Sequence, residues 1–262
     1  MLFRSLSVGG YLYSDKAGDL GFTNNVTNLS VSYKLDIGNN MFLSAGLQGG
    51  IGQRFLAGNN YEFDNQFNGI AFDNSIAPMS TIEKTNMLIG DYAAGVSWTY
   101  SDEASTLSSS DAKYVNVGLA MYHLQAPKLF NEREYRRYTI HGDFYKGINS
   151  KIALHPAAYV FVNKQSYEFV FGSNVKYILK ESSKYSSLVK GAAISSGLFY
   201  RMQDAIIASF GVEQGNYAMF ISYDITASKL SSFNRYKGAF EITLRFINPN
   251  PFGASMYGKS RI

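Results

Sequence analysis

Hydrophobic and polar residues alternate along most of this chain with a period of two, as expected of strands whose successive side chains point to opposite faces. Between residues 26 and 37, Leu29, Val31, Tyr33, Leu35 and Ile37 make one face, and Ser30, Ser32, Lys34 and Asp36 the other. The same division separates Leu43, Ala45, Leu47 and Ile51 from Ser44, Gly46, Gln48, Gly50, Gly52 and Arg54. It separates Leu88, Tyr92, Ala94, Val96, Trp98 and Tyr100 from Asp91, Gly95, Ser97 and Thr99. Tyr167, Phe169, Phe171, Val175, Tyr177 and Leu179 oppose Glu168, Gly172, Asn174 and Lys176, with Val170 and Ile178 out of pattern. Tyr217, Met219, Ile221, Tyr223 and Ile225 oppose Ala218, Ser222, Asp224 and Thr226, with Phe220 out of pattern. The last convincing run sets Phe240, Ile242, Leu244 and Phe246 against Ala239, Glu241, Thr243 and Arg245.

The alternation predicts twelve strands, near 2–13, 26–37, 40–54, 87–100, 113–124, 135–146, 149–162, 166–180, 187–201, 204–213, 216–226 and 237–247. Most exceed the ~5–6 residues of soluble strands and reach the ~9–11 that a tilted strand needs to cross hydrocarbon. A soluble β-sandwich also alternates, but its outer faces are charge-rich. Here the polar faces are mostly Ser, Gly, Asn and Thr, which favours an all-β transmembrane barrel of antiparallel up-and-down strands, with residues 1–262 as one domain.

Bacterial barrels carry short periplasmic turns and longer outer loops, and counting back from the last strand gives each connection its side. The inner turns are then Asp36–Asn40, Lys146–Asn149 and Glu213–Asn216, with the longer Ser101–Ala112 and Lys180–Ser186. The outer connections are Ser14–Asn25, Phe55–Asn86, Gln125–Glu134 and Ala227–Tyr236, with tight turns at Asn163 and Met202.

Composition sharpens this picture. Aromatics make up 15% of the 262 residues, with 20 Tyr, 19 Phe and one Trp, while charged residues are only 17% against the roughly 25% of soluble domains. No run of ~18 uncharged apolar residues exists, so membrane crossing by helices is excluded and crossing by strands is not. The chain has no Cys, which removes disulfides and thiolate metal sites. Its net charge of +4 is spread out rather than gathered into a nucleic-acid groove.

Candidate chemistry is sparse. His123, His141 and His155 are far apart in sequence, so they read as interior or interfacial polar residues rather than a metal or catalytic set. An outer-membrane enzyme would need a Ser and a His on facing strands, which a serine-rich barrel offers by chance. No catalytic residue, metal or cofactor is assigned. Six inward charges are more informative: Asp91, Glu168, Lys176, Asp224, Glu241 and Arg245. Glu241 and Arg245 lie about 13 Å apart along one strand at ~3.3 Å per residue and cannot pair. Asp224 is the expected partner of Arg245. These charges read equally as a brace across the lumen or the lining of a ligand site. Trp98, Tyr100, Tyr177 and Tyr200, near strand ends, suit interfacial girdles.

The order of short motifs resembles the PorP/SprF family, outer-membrane proteins of the type IX secretion system of Bacteroidota. The resemblance runs through Asp15-Lys16-Ala17-Gly18, Gly46-Leu47-Gln48-Gly49-Gly50-Ile51, Phe63-Asp64-Asn65-Gln66-Phe67 and Gly118–Leu124 on to Pro127. It is strongest in Gly197-Leu198-Phe199-Tyr200-Arg201 with Asp204-Ala205, Ser222-Tyr223-Asp224-Ile225 with Ser228 and Leu230, and Gly238-Ala239-Phe240-Glu241-Ile242. The resemblance implies a non-enzymatic protein that delivers or anchors type IX cargo, such as gliding adhesins, at the cell surface alongside periplasmic components of the same system and outer-membrane lipid. It marks Asp15, Lys16, Gly18, Gln66, Arg201, Asp204, Ser222, Tyr223, Asp224, Gly238 and Glu241 as family positions. Cargo contact is expected at Asp64, Gln66 and Phe67 and on the Ala227–Tyr236 loop. Family members begin with a leader and about two further strands, and Met1–Gly10 lacks a leader pattern, so an intact barrel of about fourteen strands is expected. The tail 248–262 displaces the last strand from the C-terminus. A passive or fatty-acid-type channel is the alternative reading of the same inward charges.

Overall fold

The computed structural model describes residues 5–18, 21–56, 63–73, 75–77, 86–102, 113–129, 132–180, 191–229 and 231–247. Twelve long strands form one sheet: β1 (Leu6–Ala17), β2 (Phe22–Gly38), β3 (Met41–Leu56), β4 (Asn86–Ser101), β5 (Lys113–Tyr122), β8 (Arg137–Gly147), β9 (Ile152–Val162), β10 (Tyr167–Lys180), β11 (Ala192–Arg201), β12 (Ala205–Gln214), β13 (Tyr217–Thr226) and β14 (Lys237–Phe246). Neighbours in sequence are neighbours in the sheet, apart from a two-stranded excursion, β6 (Lys128–Leu129) with β7 (Glu132–Arg133), between β5 and β8. This is the antiparallel up-and-down order that the alternation predicts and that a β-barrel requires. A 3-10 turn at Asp64–Gln66 and α1 (Ser231–Asn234) complete the described elements.

Two units are defined by their internal contacts. One comprises Met1–Leu35, Ser44–Val96 and Ala120–Tyr138, and the other Asp36–Leu43, Ser97–Leu119 and Thr139–Ile262.

Turn chemistry explains the hairpins. Gly38, Asn39 and Asn40 all have positive φ (87°, 52° and 61°), the left-handed region these residue types tolerate best. The Asp36 carboxylate accepts the Gly38 N–H at 2.8 Å. Asn149 accepts the N–H groups of Lys151 and Ile152, and Asn163 those of Gln165 and Ser166, each at 2.8–2.9 Å.

Burial is inverted relative to a soluble fold. The buried apolar residues are Ala93, Ala153, Ala157, Ala193, Ala205, Ala218 and one larger residue, Ile178, and no large side chain is fully buried among the described residues. The apolar faces named from the sequence are instead exposed: Leu29 is 68% accessible, Leu47 69%, Leu88 73% and Leu244 77%. Trp98, Tyr177 and Tyr200 lie among these exposed residues, whereas Tyr100 is half-buried. Such a surface lowers its free energy in hydrocarbon and raises it in water.

Differences from the sequence expectation have local causes. The expected outer loop Ser14–Asn25 is instead strand. Asp15 pairs with Asn24 and Lys16 with Thr23, and the chain reverses between Gly18 (φ 70°) and Gly21 (φ 61°), whose N–H reaches the Gly18 carbonyl at 3.0 Å. Residues 187–190 of the expected ninth strand, most of the loops 101–112 and 180–186, and the tail 248–262 lie outside the described residues.

Candidate functional site: charged and polar rows on the polar face of the strands

Register decides which polar-face side chains meet. In the second unit one row crosses six strands, pairing His155 with Asn174, Asn174 with Gly197, Gly197 with Ser209, Ser209 with Ser222, and Ser222 with Glu241. Gly197 leaves the space that the Asn174 side chain crosses: a Cβ there would lie 1.9 Å from the Asn174 Oδ1. Asn174 thereby accepts from the Ser209 hydroxyl at 3.3 Å, and Glu241 accepts from Ser222 at 3.3 Å. The row continues through Asp143, whose carboxylate lies 3.2 Å from His155 Nε2 and accepts from Asn116 Nδ2 at 3.2 Å. Asn116 Nδ2 also approaches His141 Nε2 at 3.2 Å, and the His141 ring occupies the space that a Cβ on Gly118 would take.

Two charged clusters flank this row. Toward one end, Ile178, Ala193, Glu213, Ala218 and Arg245 lie abreast. The short Ala193 and Ala218, both buried, let long side chains reach over them. Glu213 therefore meets Lys176 at 2.8 Å and Arg245 at 3.5 Å. Arg245 also stands 5.4 Å from the ring centre of Phe220, a cation–π contact. Toward the other end, Val170, Arg201, Ala205 and Thr226 lie abreast. Across the buried Ala205, Arg201 reaches Asp224 at 3.1 Å, Glu168 at 3.2 Å and Asp204 at 3.1 Å.

Glu168, Lys176, Asp224, Glu241 and Arg245 share hydrogen bonds or ion pairs on the polar face of the second unit, but one expected partnership is wrong. Asp224 pairs with Arg201, and Arg245 with Glu213, because the β13–β14 register sets Arg245 opposite Ala218, six residues from Asp224. In sequence Glu213 reads as the start of a turn, and the signal for its role is its place two strands before Arg245, at the same level of the sheet. The out-of-pattern Phe220 also has a reason, for it lies over Gly211, where a Cβ would be 2.4 Å from its ring. Ile178, likewise out of pattern, is buried opposite Ala193.

The family positions at the C-terminal end form one structural unit. A bulge between Tyr223 and Ile225 brings the Asp224 carbonyl 2.0 Å from the site of a Cβ on Gly238, so only glycine fits there. Tyr223 lies on the exposed apolar face, while Ser222 and Glu241 hydrogen-bond on the polar face.

In the first unit, the connection after β5 is fastened rather than free. Asp91 lies 3.0 Å from His123 Nδ1, and Glu134 lies 3.5 Å from His123 Nε2 and 2.9 Å from Arg54. Arg54 also donates to Asn24 at 3.1 Å. The Gln125 side chain accepts the Tyr92 N–H at 3.2 Å and donates to the Gly90 carbonyl, while Arg136 donates to the Leu124 carbonyl at 3.1 Å. The expected outer loop Gln125–Glu134 is therefore a hairpin tied to the side of β4.

The Asp64 loop is also internally built. Gln66 is 5% accessible; its Oε1 accepts the Phe63 N–H at 3.0 Å and its Nε2 donates to the Ile76 carbonyl at 2.9 Å. Its main chain closes the loop to Asp73 at 2.9 Å, and Phe67 bridges to Phe72. Hydrogen bonds from Ser75 hold the Asp73 carboxyl below its ordinary range. Gln66 is thus a clasp, whereas Asp64 is exposed, Phe67 is 55% accessible and Ile70 92%.

Among the described residues no group of His, Cys, Asp or Glu is arranged to hold a metal ion. The family model described as type IX secretion system membrane protein PorP/SprF matches residues 2–246. No curated protein matches the chain.

Proposed function

Because the chain belongs to the PorP/SprF family of type IX secretion system membrane proteins, we propose that it sits in the outer membrane and helps deliver or anchor secreted cargo, such as gliding adhesins, at the cell surface. Periplasmic components of the same system and outer-membrane lipid are its other partners in this reading. The observation that carries it is the Asp64 loop, where a buried Gln66 clasp spends its polar groups internally and leaves Phe67 and Ile70 projecting. An ordered loop with bare apolar side chains supports protein contact more than it supports solvent exposure. Asp64, exposed beside them, supplies a polar rim.

The test is cargo retention in cells carrying Phe67→Ser with Ile70→Ser, compared with cells in which residues 55–86 are deleted. Both are expected to shed cargo into the medium while the protein still migrates as a heat-modifiable membrane protein. Normal retention with the deletion sinks the cargo reading. The channel alternative predicts a steady ion-selective conductance in planar bilayers. The mutual pairing of Lys176, Glu213 and Arg245 along β10 to β14 supports charges spent on bracing the wall over charges left free to line a pore.

A further inference from the structure

The connection Ala227–Tyr236, read from sequence as a second cargo loop, is placed for a different partner. It joins β13 to β14 and is held at both ends. The N–H groups of Ala227 and Ser228 donate to the Asp204 carbonyl at 2.7 and 2.9 Å, and Asn234 Nδ2 donates to Thr226 Oγ1 and the Lys237 carbonyl at 2.9 and 2.8 Å. The Ser232 hydroxyl donates to the Lys229 carbonyl at 2.9 Å. What this frame presents is uniform in chemistry. Lys229, Arg235 and Lys237 are exposed, and among the described residues none forms a salt bridge. No acid occurs in sequence between Asp224 and Glu241. Asp224 and Asp204, the nearest acids by chain connection, are engaged by Arg201. Between the cations stand Phe233, 88% accessible, and Tyr236, 63% accessible.

Position supplies the second argument. Two apolar stripes run up to this loop, Met219, Tyr223 and Ile225 on β13, and Phe240, Ile242 and Leu244 on β14, all exposed. The bulge at Tyr223/Ile225 changes the parity of β14, so that Lys237 pairs with Ile225 and not with Thr226. A lysine is thereby set on the apolar face at the last residue of the stripe. Lysines snorkel from such a site, stem along hydrocarbon and ammonium in the headgroup layer.

We propose that Lys229, Arg235 and Lys237, with Phe233 and Tyr236, form a contact for phosphate-bearing lipid headgroups, the cations pairing with phosphate and the rings entering the interfacial layer. The occupant is the lipid surface rather than a protein, because the patch is continuous with the lipid-facing stripes. The inference rests on the family's membrane location and not on the cargo reading.

The experiment uses the full chain reconstituted in bilayers, without cargo. Trp98→Phe removes the only tryptophan, and Phe233→Trp places a reporter in the loop. Quenching by brominated phosphatidylglycerol is compared with quenching by brominated phosphatidylcholine at equal mole fraction. The expected result is stronger quenching by the anionic lipid, weakened by salt, with the enrichment falling roughly fivefold for each cation replaced in Lys229→Gln, Arg235→Gln and Lys237→Gln. These side chains are exposed, and Lys237→Gln alone serves if the triple variant fails to insert. Equal quenching by both lipids, or no quenching by either, overturns the proposal. So does displacement of the reporter by soluble poly-glutamate but not by anionic lipid, which returns the loop to an acidic protein partner. Loss of cargo retention in cells with unchanged lipid enrichment bears on the cargo reading alone.

Discussion

Replacing Phe210 with arginine tests the assignment of the two faces most directly. Phe210 is the middle of β12, whose ten residues Ala205–Gln214 extend about 33 Å at ~3.3 Å per residue. Tilted by about 40°, that strand stands about 25 Å tall, the height of the apolar band of an outer-membrane barrel, and puts Phe210 near mid-bilayer. The residue is 51% accessible, and its row neighbours Ser196 and Ile221 leave it projecting from the sheet. Were this face in water, Phe210→Arg at a half-exposed site would change stability by about 0.5 kcal/mol or less. At the centre of hydrocarbon an arginine costs about 2–4 kcal/mol, a shift of roughly 30- to 900-fold in the folding equilibrium. The assay is reversible urea unfolding in phosphatidylcholine vesicles, followed by the fluorescence of the single tryptophan, Trp98. Phe210→Leu, which keeps an apolar side chain, and Ser209→Ala, which gives up one 3.3 Å hydrogen bond on the opposite face, are each expected to cost about 1 kcal/mol or less. If Phe210→Arg unfolds within 0.5 kcal/mol of the parent, roughly the error of such a comparison, the face does not meet lipid and the membrane argument from exposure fails.

The remaining expectations concern the polar face. Gly211→Ala drives a Cβ to 2.4 Å from the Phe220 ring and is expected to lose about 1–3 kcal/mol; Phe220→Ala in the same chain should recover part of it, which a double-mutant cycle in urea would register. Glu213→Gln removes the shared partner of Lys176 and Arg245. With Lys176 28% and Glu213 23% accessible, water screens part of the pair, so the loss is about 1 kcal/mol and shrinks when Lys176→Met is added. Gly238→Ala meets the backbone of Asp224 and cannot be relieved by a rotamer change, so the fraction of heat-modifiable protein in membranes should fall more than for Gly211→Ala. Gln66→Leu opens the Asp64 loop without touching the strands, and limited proteolysis should cleave between residues 63 and 77 faster than in the parent while the protein stays folded.

Strand existence was legible because alternation is a local property: residues 166–180 were expected and Tyr167–Lys180 form β10. Pairing was not, because it depends on register. The same two faces are compatible with Asp224 meeting Arg245 or Arg201, and the β13–β14 register, which sets Arg245 opposite Ala218, decides between them. Gln66 illustrates a second limit. A polar residue in a long connection reads as surface, and only the return of the chain at Ile76 shows that both ends of its amide are used inside the loop. The hairpin β6–β7 was hidden for a third reason: its strands have two residues each, too short for any periodicity. What parity does carry from sequence to site is the shared polar face of Glu168, Lys176, Asp224, Glu241 and Arg245 in the second unit.

The buried apolar residues of the described chain are six alanines and one isoleucine. Hydrophobic collapse in water needs large side chains that gain by leaving it, and this interior has almost none to offer. A chain of this design has no aqueous route to its own structure: outside a bilayer its stripes find each other, or other chains, before they find the right register. Its biogenesis is therefore a problem of custody, in which something must keep the strands apart until lipid is present, and the hydrogen-bonded rows of the polar face become worth forming only after the other face has left the water.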